Sequence, residues 1–281
     1  MNRQRNNDSQ TERLGAWTVM TFNLRTHTAN DAGNEWTQRA PWAARTIADL
    51  APAVVGVQEA YPLMLDDLQR ELPEYDRIGM GRRGEADDEA CAIFYRRDLF
   101  ELLGQGQFWL SETPETVGSL GWDSDYPRIC TWGRFRFRAS GQEVRVYNTH
   151  FDHIGEAARI EGAKLVASVM RSHEAEFPGG ASVLMGDMNG FPSDAPLRYL
   201  RGELPAEGPV PALQDAYAKL EGEIGRTFHD FLGGLEGEPI DYIFATAPLE
   251  VRRSFIERRE FAGKYPSDHY PLVAELVYAG S

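Results

Sequence analysis

Asp187 and Asn189 stand in VLMGDMNGFPSDAP, where an apolar run ends in an acid, an amide and a turn. Other apolar runs end in the same way. TFNL ends at Asn23, VQEA carries Glu59, YNTHFDH offers Asn148, His150, Asp152 and His153, PIDYIF offers Asp241, and PSDHYP offers Asp268 and His269. Carboxylates and amides at strand tips form an oxygen-rich donor set that suits hard cations such as Mg²⁺ and Mn²⁺. Imidazoles add donors able to stabilise charge on a phosphoryl group.

Each motif has a plainer reading by itself. Glu59 could be a solvated edge, Asp268 a turn cap and His150 a packed core histidine. DMNG resembles the opening of a calcium loop, but Phe191 and Pro192 occupy positions where further ligands belong. His150 and His153 invite a zinc site, yet no third ligand follows at matching spacing.

The elements that must position these residues are readable. WTVMTFNL predicts a strand, WTQRAPWAARTIADL a helix, APAVVGVQEA a second strand, and YPLMLDDLQREL a helix with Pro62 near its start. Short strand-like runs follow to EVRVYNTHFD. The helix GEAARIEGAKLVASVMRSHE comes next, with its apolar face expected at Ala158, Leu165 and Val169. SVLMGDMN, DYIFAT, PLEVRRSFIERR and HYPLVAELVY complete the set. Many strands with interspersed helices predict two packed sheets covered by helices. The polar stretch from Ser111 to Pro127 is long for a loop in a compact domain, which marks it as functional or mobile.

The chain has 281 residues, and 42% are hydrophobic, enough for a substantial core. Residues 1–14 read as a flexible tail and 15–281 as one domain. A formal charge of −14 opposes nucleic acid and anionic membrane, and RFRFR reads as a solvated strand face. Cys91 and Cys130 sit among apolar residues, so buried free thiols are expected. No apolar run reaches membrane-spanning length and no secretory signal is recognisable, so a cytoplasmic monomer is expected.

Taken in order, TFNL…QE…NTH…GDMN…DYI…SDH, from Thr18 to about Val277, resembles the endonuclease/exonuclease/phosphatase superfamily. These divalent-metal phosphoesterases include pancreatic-type deoxyribonucleases, abasic-site endonucleases, inositol-phosphate 5-phosphatases, sphingomyelinases and deadenylases. The resemblance implies an α/β (α+β) fold, a DNase I-like four-layer α/β/β/α sandwich of two mixed β-sheets flanked by helices. It implies Glu59 as principal metal ligand, with Asn23 and Asp268 beside the metal. Asp187 would position or deprotonate the attacking water, and Asn189 would orient it. His269 and His150 would face phosphate, with Asp241 holding the His269 ring. One Mg²⁺ or Mn²⁺ is expected, with Ca²⁺ as a third candidate.

The chain departs from the pattern at Arg25, where some members carry an aspartate. Arg25, Arg128, His153 and His229 are candidates for phosphate or leaving-group contact. A small phosphorylated sugar or polyol fits the acidic balance best. The alternatives are a metal-dependent nuclease and a catalytically silent metal- or phosphate-binding module.

Overall fold

The computed structural model describes residues 15–84, 87–205 and 213–279; the expected tail over 1–14 lies outside them. The first half opens with β1 (Trp17–Asn23), α1 (Trp36–Leu50), β2 (Val54–Ala60), α2 (Pro62–Glu71), β3 (Tyr75–Ile78) and β4 (Ala90–Arg96). Then come β5 (Phe100–Trp109), β6 (Ile129–Phe137), β7 (Glu143–His150), α3 (Glu156–Glu176) and β8 (Ala181–Asp187). The chain finishes with α4 (Ala195–Leu200), β9 (Leu213–Asp215), β10 (Asp241–Thr246), β11 (Leu249–Ile256) and β12 (Leu272–Tyr278).

The strands form two six-stranded mixed sheets, ordered β11-β12-β1-β2-β4-β3 and β5-β6-β7-β8-β10-β9. Among the described strands, only β1–β2 and β7–β8 pair in parallel, and each pair is joined by a crossover helix, α1 or α3. Residues alternate along the strands, so the central strands each feed two cores. Val19, Val54, Val146, Met185, Ile243 and Leu272 fill the gap between the sheets. Met20, Phe22, Val55, Val57 and Phe94 pack outward on Ile47, Met64 and Leu68 of α1 and α2. Tyr147, Leu184, Tyr242 and Phe244 pack outward on Val166, Met170 and Leu197 of α3 and α4. The result is the expected α/β/β/α sandwich.

Helices α1 and α2 match the sequence reading. The buried stripe of α3 differs: it runs through Ala158, Gly162, Ala163, Val166, Ala167 and Met170, leaving Leu165 and Val169 at its margin. Small residues there let α3 lie close to the sheet, which a count of large apolar residues overlooks. Cys91 and Cys130 are buried and free, as expected. The arginines of RFRFR face away from the inter-sheet core, and Arg136 pairs with Glu101 and Glu143.

The inter-sheet core turns polar where β1, β2, β7 and β8 end. There Asn148, fully buried, donates to the Val57 and Ala92 carbonyls at 2.9 and 2.8 Å and accepts from Gln58 Nε2 at 2.6 Å. Its room comes from Gly56, where a Cβ would stand 2.7 Å from Asn148 Oδ1. Asn148 thus pins one sheet to the other beneath the strand tips. Asn148→Leu should lower stability by about 3 kcal/mol, since each buried polar group left unpaired costs about 1–3 kcal/mol. Urea denaturation checks this, and a loss under about 1 kcal/mol would remove Asn148 from that role.

Candidate active site

The two parallel pairs bring four strand ends to one place. Asn23 lies opposite Gln58, His150 opposite Asp187, and Asp187 opposite Asp241 on the antiparallel neighbour β10. Alternation along β1, β7, β8 and β10 turns Asn23, His150, Asp187 and Asp241 into the gap between the sheets, in line with Val19, Val146, Met185 and Ile243. Gly186 permits this approach: its φ is +151°, and a Cβ would fall 2.0 Å from the Thr149 carbonyl. Alternation alone would send Glu59 to the helix side with Val57. A left-handed backbone at Glu59, φ +58°, and a register shift between Val57 and Ala60 break that pattern. Arg25 and Asn189, at +55° and +44°, are also left-handed, so strained backbone gathers at this end of the sandwich.

Asn23 is the hub. Its Nδ2 donates to Glu59 Oε1 at 2.9 Å and to Asp187 Oδ2 at 3.0 Å, while its Oδ1 accepts from the Arg25 amide at 2.9 Å. Glu59 Oε2 accepts from the Thr26 amide at 2.9 Å. Asp187 Oδ1 accepts from the Asn189 amide at 3.0 Å. The Asn189 side-chain amide donates to the Phe151 carbonyl at 3.0 Å and contacts His150 Nε2 at 2.9 Å. His269 Nδ1 meets Asp241 Oδ2 at 2.9 Å, and its Nε2 points toward Asp187 Oδ2, 3.8 Å away. Ser267 Oγ donates to the Asn23 carbonyl at 2.7 Å, fastening the S-D-H turn to β1. The fully buried Arg39 holds the same region from beneath, donating to the carbonyls of Leu24, Arg25 and Pro266.

Electrostatics separates the titratable groups. Burial, with the nearby Asp241 charge, pushes the Asp187 carboxyl up to about 7. Burial pulls His269 down, but Asp241, Asp268 and Asp187 outweigh it and raise the imidazole to about 10. Burial and the Arg128 charge drive His150 well below its usual range, so this ring is neutral. Asp268 is raised by burial and by Glu59, against the pull of His269 and Arg25. One end of the cleft therefore holds an imidazolium, a carboxyl poised near neutrality and a neutral imidazole.

Glu59, His150, Asp187, Asn189, Asp268 and His269 all line one cleft of about 540 Å³. Arg25, Arg128 and His153 line it too. Arg25 makes a bidentate pair with Asp31 at 2.8 and 2.9 Å and lies 3.6 Å from Asp268. Arg128 binds Asp152 at 3.2 Å and contacts His153 Nδ1 at 3.2 Å. Asp241 stands behind His269. His229 does not line the cleft: it stacks on Tyr270 at 3.9 Å, meets Tyr265 edge-on and accepts from the Gly233 amide, so it packs the turn beneath Asp268.

Several cleft residues escaped the sequence reading, Glu89 and Tyr126 among them. Glu89 lies 3.9 Å from the unpartnered His150 Nδ1 and pairs with Arg82 at 2.8 Å. Antiparallel β2 and β4 put the residue preceding β4 beside the end of β2, so pairing these strands would have exposed it. Tyr126 comes from the long polar loop, which is held in place. Asp152 accepts from Ser124 Oγ and the Asp125 amide, and Asp123 accepts from the Ala157 and Ala158 amides at the start of α3.

The model of the endonuclease/exonuclease/phosphatase family matches residues 20–269. The chain belongs to that family. Among solved structures, a family member from Bacteroides thetaiotaomicron is 33% identical, with 95% of this chain and 96% of that chain covered and a TM-score of 0.87. A mannosyl-6-phosphatase of the same species is 34% identical, covering 93% and 100%, with a TM-score of 0.86. The catalytic domain of human Nocturnin, at 17% identity, 94% and 95% coverage and a TM-score of 0.74, shares the fold. No curated protein matches significantly.

Members of the endonuclease/exonuclease/phosphatase family act on phosphoester bonds, generally with a divalent metal. The donors here suit such an ion. Glu59 and Asp268 present hard oxygens to the cleft, and Glu59's charge adds to the burial that raises Asp268, a repulsion a cation would relieve. Asp187, Asp241 and His269 also bring ligand atoms within 4.8 Å of one another. In that cluster His269 is protonated at neutral pH and engaged by Asp241, and an imidazolium has no lone pair for a metal.

The Asp241–His269 pair has a pH signature. The folded-state value lies above the ordinary 6.5, so its stabilisation is complete below pH 6.5 and is lost as pH rises through about 10. Metal-free protein should lose stability across the upper part of that window, and Asp241→Asn should flatten the loss. Urea midpoints measured in EDTA check this; equal slopes in both proteins would contradict it.

Proposed function

We propose that the chain is a divalent-metal-dependent hydrolase that cleaves a small phosphorylated sugar or polyol by in-line attack of an activated water. The observation that carries this reading is the meeting, in one cleft, of Asp187, Asn189 and the Asp241-held His269 beside Glu59 and Asp268, with burial raising Asp187 and its acidic neighbours raising His269. A general base works best with a pKa near the operating pH, and burial gives Asp187 that value. Asn189 orients the water, its backbone amide fixing Asp187 and its side chain fixed by Phe151 and His150. His269 donates its Nε2 hydrogen to a phosphoryl oxygen, with Asp241 holding the tautomer and charge. His150, neutral and tied to Asn189, acts through the position of that amide. Glu59 and Asp268 would hold one Mg²⁺ or Mn²⁺, while Asn23, expected beside the metal, instead fixes Glu59 through its Nδ2 and has its Oδ1 taken by the Arg25 amide. Such an ion supplies Lewis-acid stabilisation of phosphoryl oxygens when bound.

The substrate class rests on the rest of the cleft and on one relative. Arg25, Arg82, Arg83 and Arg128 are each paired with a carboxylate, so the rim offers alternating donors and acceptors, with little free positive charge for a polynucleotide backbone. Tyr126, 39% exposed, lies between Arg82, Arg128 and His153 as a flat face beside them. Hydroxyl-bearing rings suit that combination. A relative at 34% identity is a mannosyl-6-phosphatase, which supports a phosphosugar for this chain as well.

With Mg²⁺ or Mn²⁺, the protein should hydrolyse p-nitrophenyl phosphate and hexose 6-phosphates, and EDTA should abolish turnover. Asp187→Asn should lower kcat on the order of a hundredfold or more. Unchanged kcat in that variant would remove Asp187 from the reaction. Metal binding without turnover of any phosphoester would make the chain a silent binding module.

A further inference from the structure

The cleft does not end at the phosphate-binding residues. A second groove of about 440 Å³ continues from it, sharing His153, Asn189, Phe228 and Ile240 as common walls. Asn189 is the junction: on one side it touches His150 and Asp187, and on the other it opens onto this groove. One bank is the turn after β8, with Phe191 and Asp194; the other is the segment from Arg226 to Ile240.

We infer that the groove binds a second, uncharged and hydroxyl-rich unit of the same substrate, a further sugar ring attached to the phosphorylated one. Phe191 and Phe228 are 49% and 43% exposed, yet both line this groove. Exposed apolar surface rimmed by polar groups marks ligand grooves, and aromatic faces take the C–H face of a sugar. The volume falls in the range of small-molecule sites. Three of the charged groups are fixed before any ligand arrives. Asp194 accepts from the Phe191 amide at 2.8 Å, Arg159 donates to the Asp152 carbonyl at 3.0 Å, and Arg226 donates to the Glu236 carbonyl. Two arginines face three carboxylates here, Asp194, Glu236 and Glu238. A second phosphate would meet net repulsion, whereas hydroxyls find both donors and acceptors. The inference rests on the phosphosugar reading above and extends it to a two-unit substrate.

Binding tests it apart from turnover. In Asp187→Asn protein with Mg²⁺, calorimetry compares a hexose 6-phosphate with phosphohexosides carrying a second hexose at the anomeric carbon, in α and β linkage. At least one two-unit ligand should bind tenfold or more tightly than the hexose phosphate. Adding Phe191→Ala should erase that advantage and leave hexose phosphate affinity unchanged. Equal affinities, no binding of any ligand, or a Phe191→Ala effect on both ligands would overturn the inference. Tighter binding of a dinucleotide 5′-phosphate would assign the groove to nucleotides and overturn it too. Wild-type turnover of the hexose 6-phosphate, measured alongside, tests the hydrolytic reading separately.

Discussion

One side-chain amide joins the two halves of the site. Asn23 has two hydrogens on Nδ2, and each goes to a carboxylate, Glu59 on its own sheet and Asp187 on the other. Two buried or half-buried carboxylates would otherwise repel across a medium of low dielectric. A neutral amide donates to both at once and holds them apart without adding charge. The constraint spreads outward. Asn23 Oδ1 holds the Arg25 backbone, Ser267 ties the S-D-H turn to the Asn23 carbonyl, and Arg39 gathers the carbonyls around them. Positive φ at Glu59, Arg25 and Asn189 is tolerated because these bonds over-determine the backbone.

The topology explains why such a point exists. Two strand–helix–strand units, β1-α1-β2 and β7-α3-β8, sit in opposite sheets with their strands ending at the same edge. Ligand sites in sheets with parallel strands gather at carboxyl ends. Below the edge the inter-sheet gap is aliphatic and aromatic; at the edge Gln58 and Asn148 begin a polar layer that grades into the cleft. The carboxylates stand on a rigid base, and burial raises the proton affinity of Asp187 and Asp268.

Much of this was legible in the sequence. The strand and helix pattern and the order of six strand-end motifs implied the sandwich. Legibility failed where long-range pairing decides position. Glu89 looked like the polar start of an apolar strand until β2 and β4 were paired. Tyr126 lay in a loop whose path depends on Asp152 and α3, far along the chain. His229 carried the right chemistry, but ring stacking on Tyr270 turned it into packing. For α3, small residues rather than large ones formed the buried stripe. The net charge of −14 was informative in a coarser way, since the cleft's arginines are held in pairs with acids.

Under the proposed function, Glu59 and Asp268 take the cation while His269 and Asn189 face the phosphate. A crystal grown with Mn²⁺ and inorganic phosphate, examined by anomalous scattering, tests it most directly. The predicted result is a manganese signal at Glu59 and Asp268, with phosphate against His269 and Asn189. A manganese signal on the Asp187, Asp241 and His269 cluster, or none in the cleft, would contradict it.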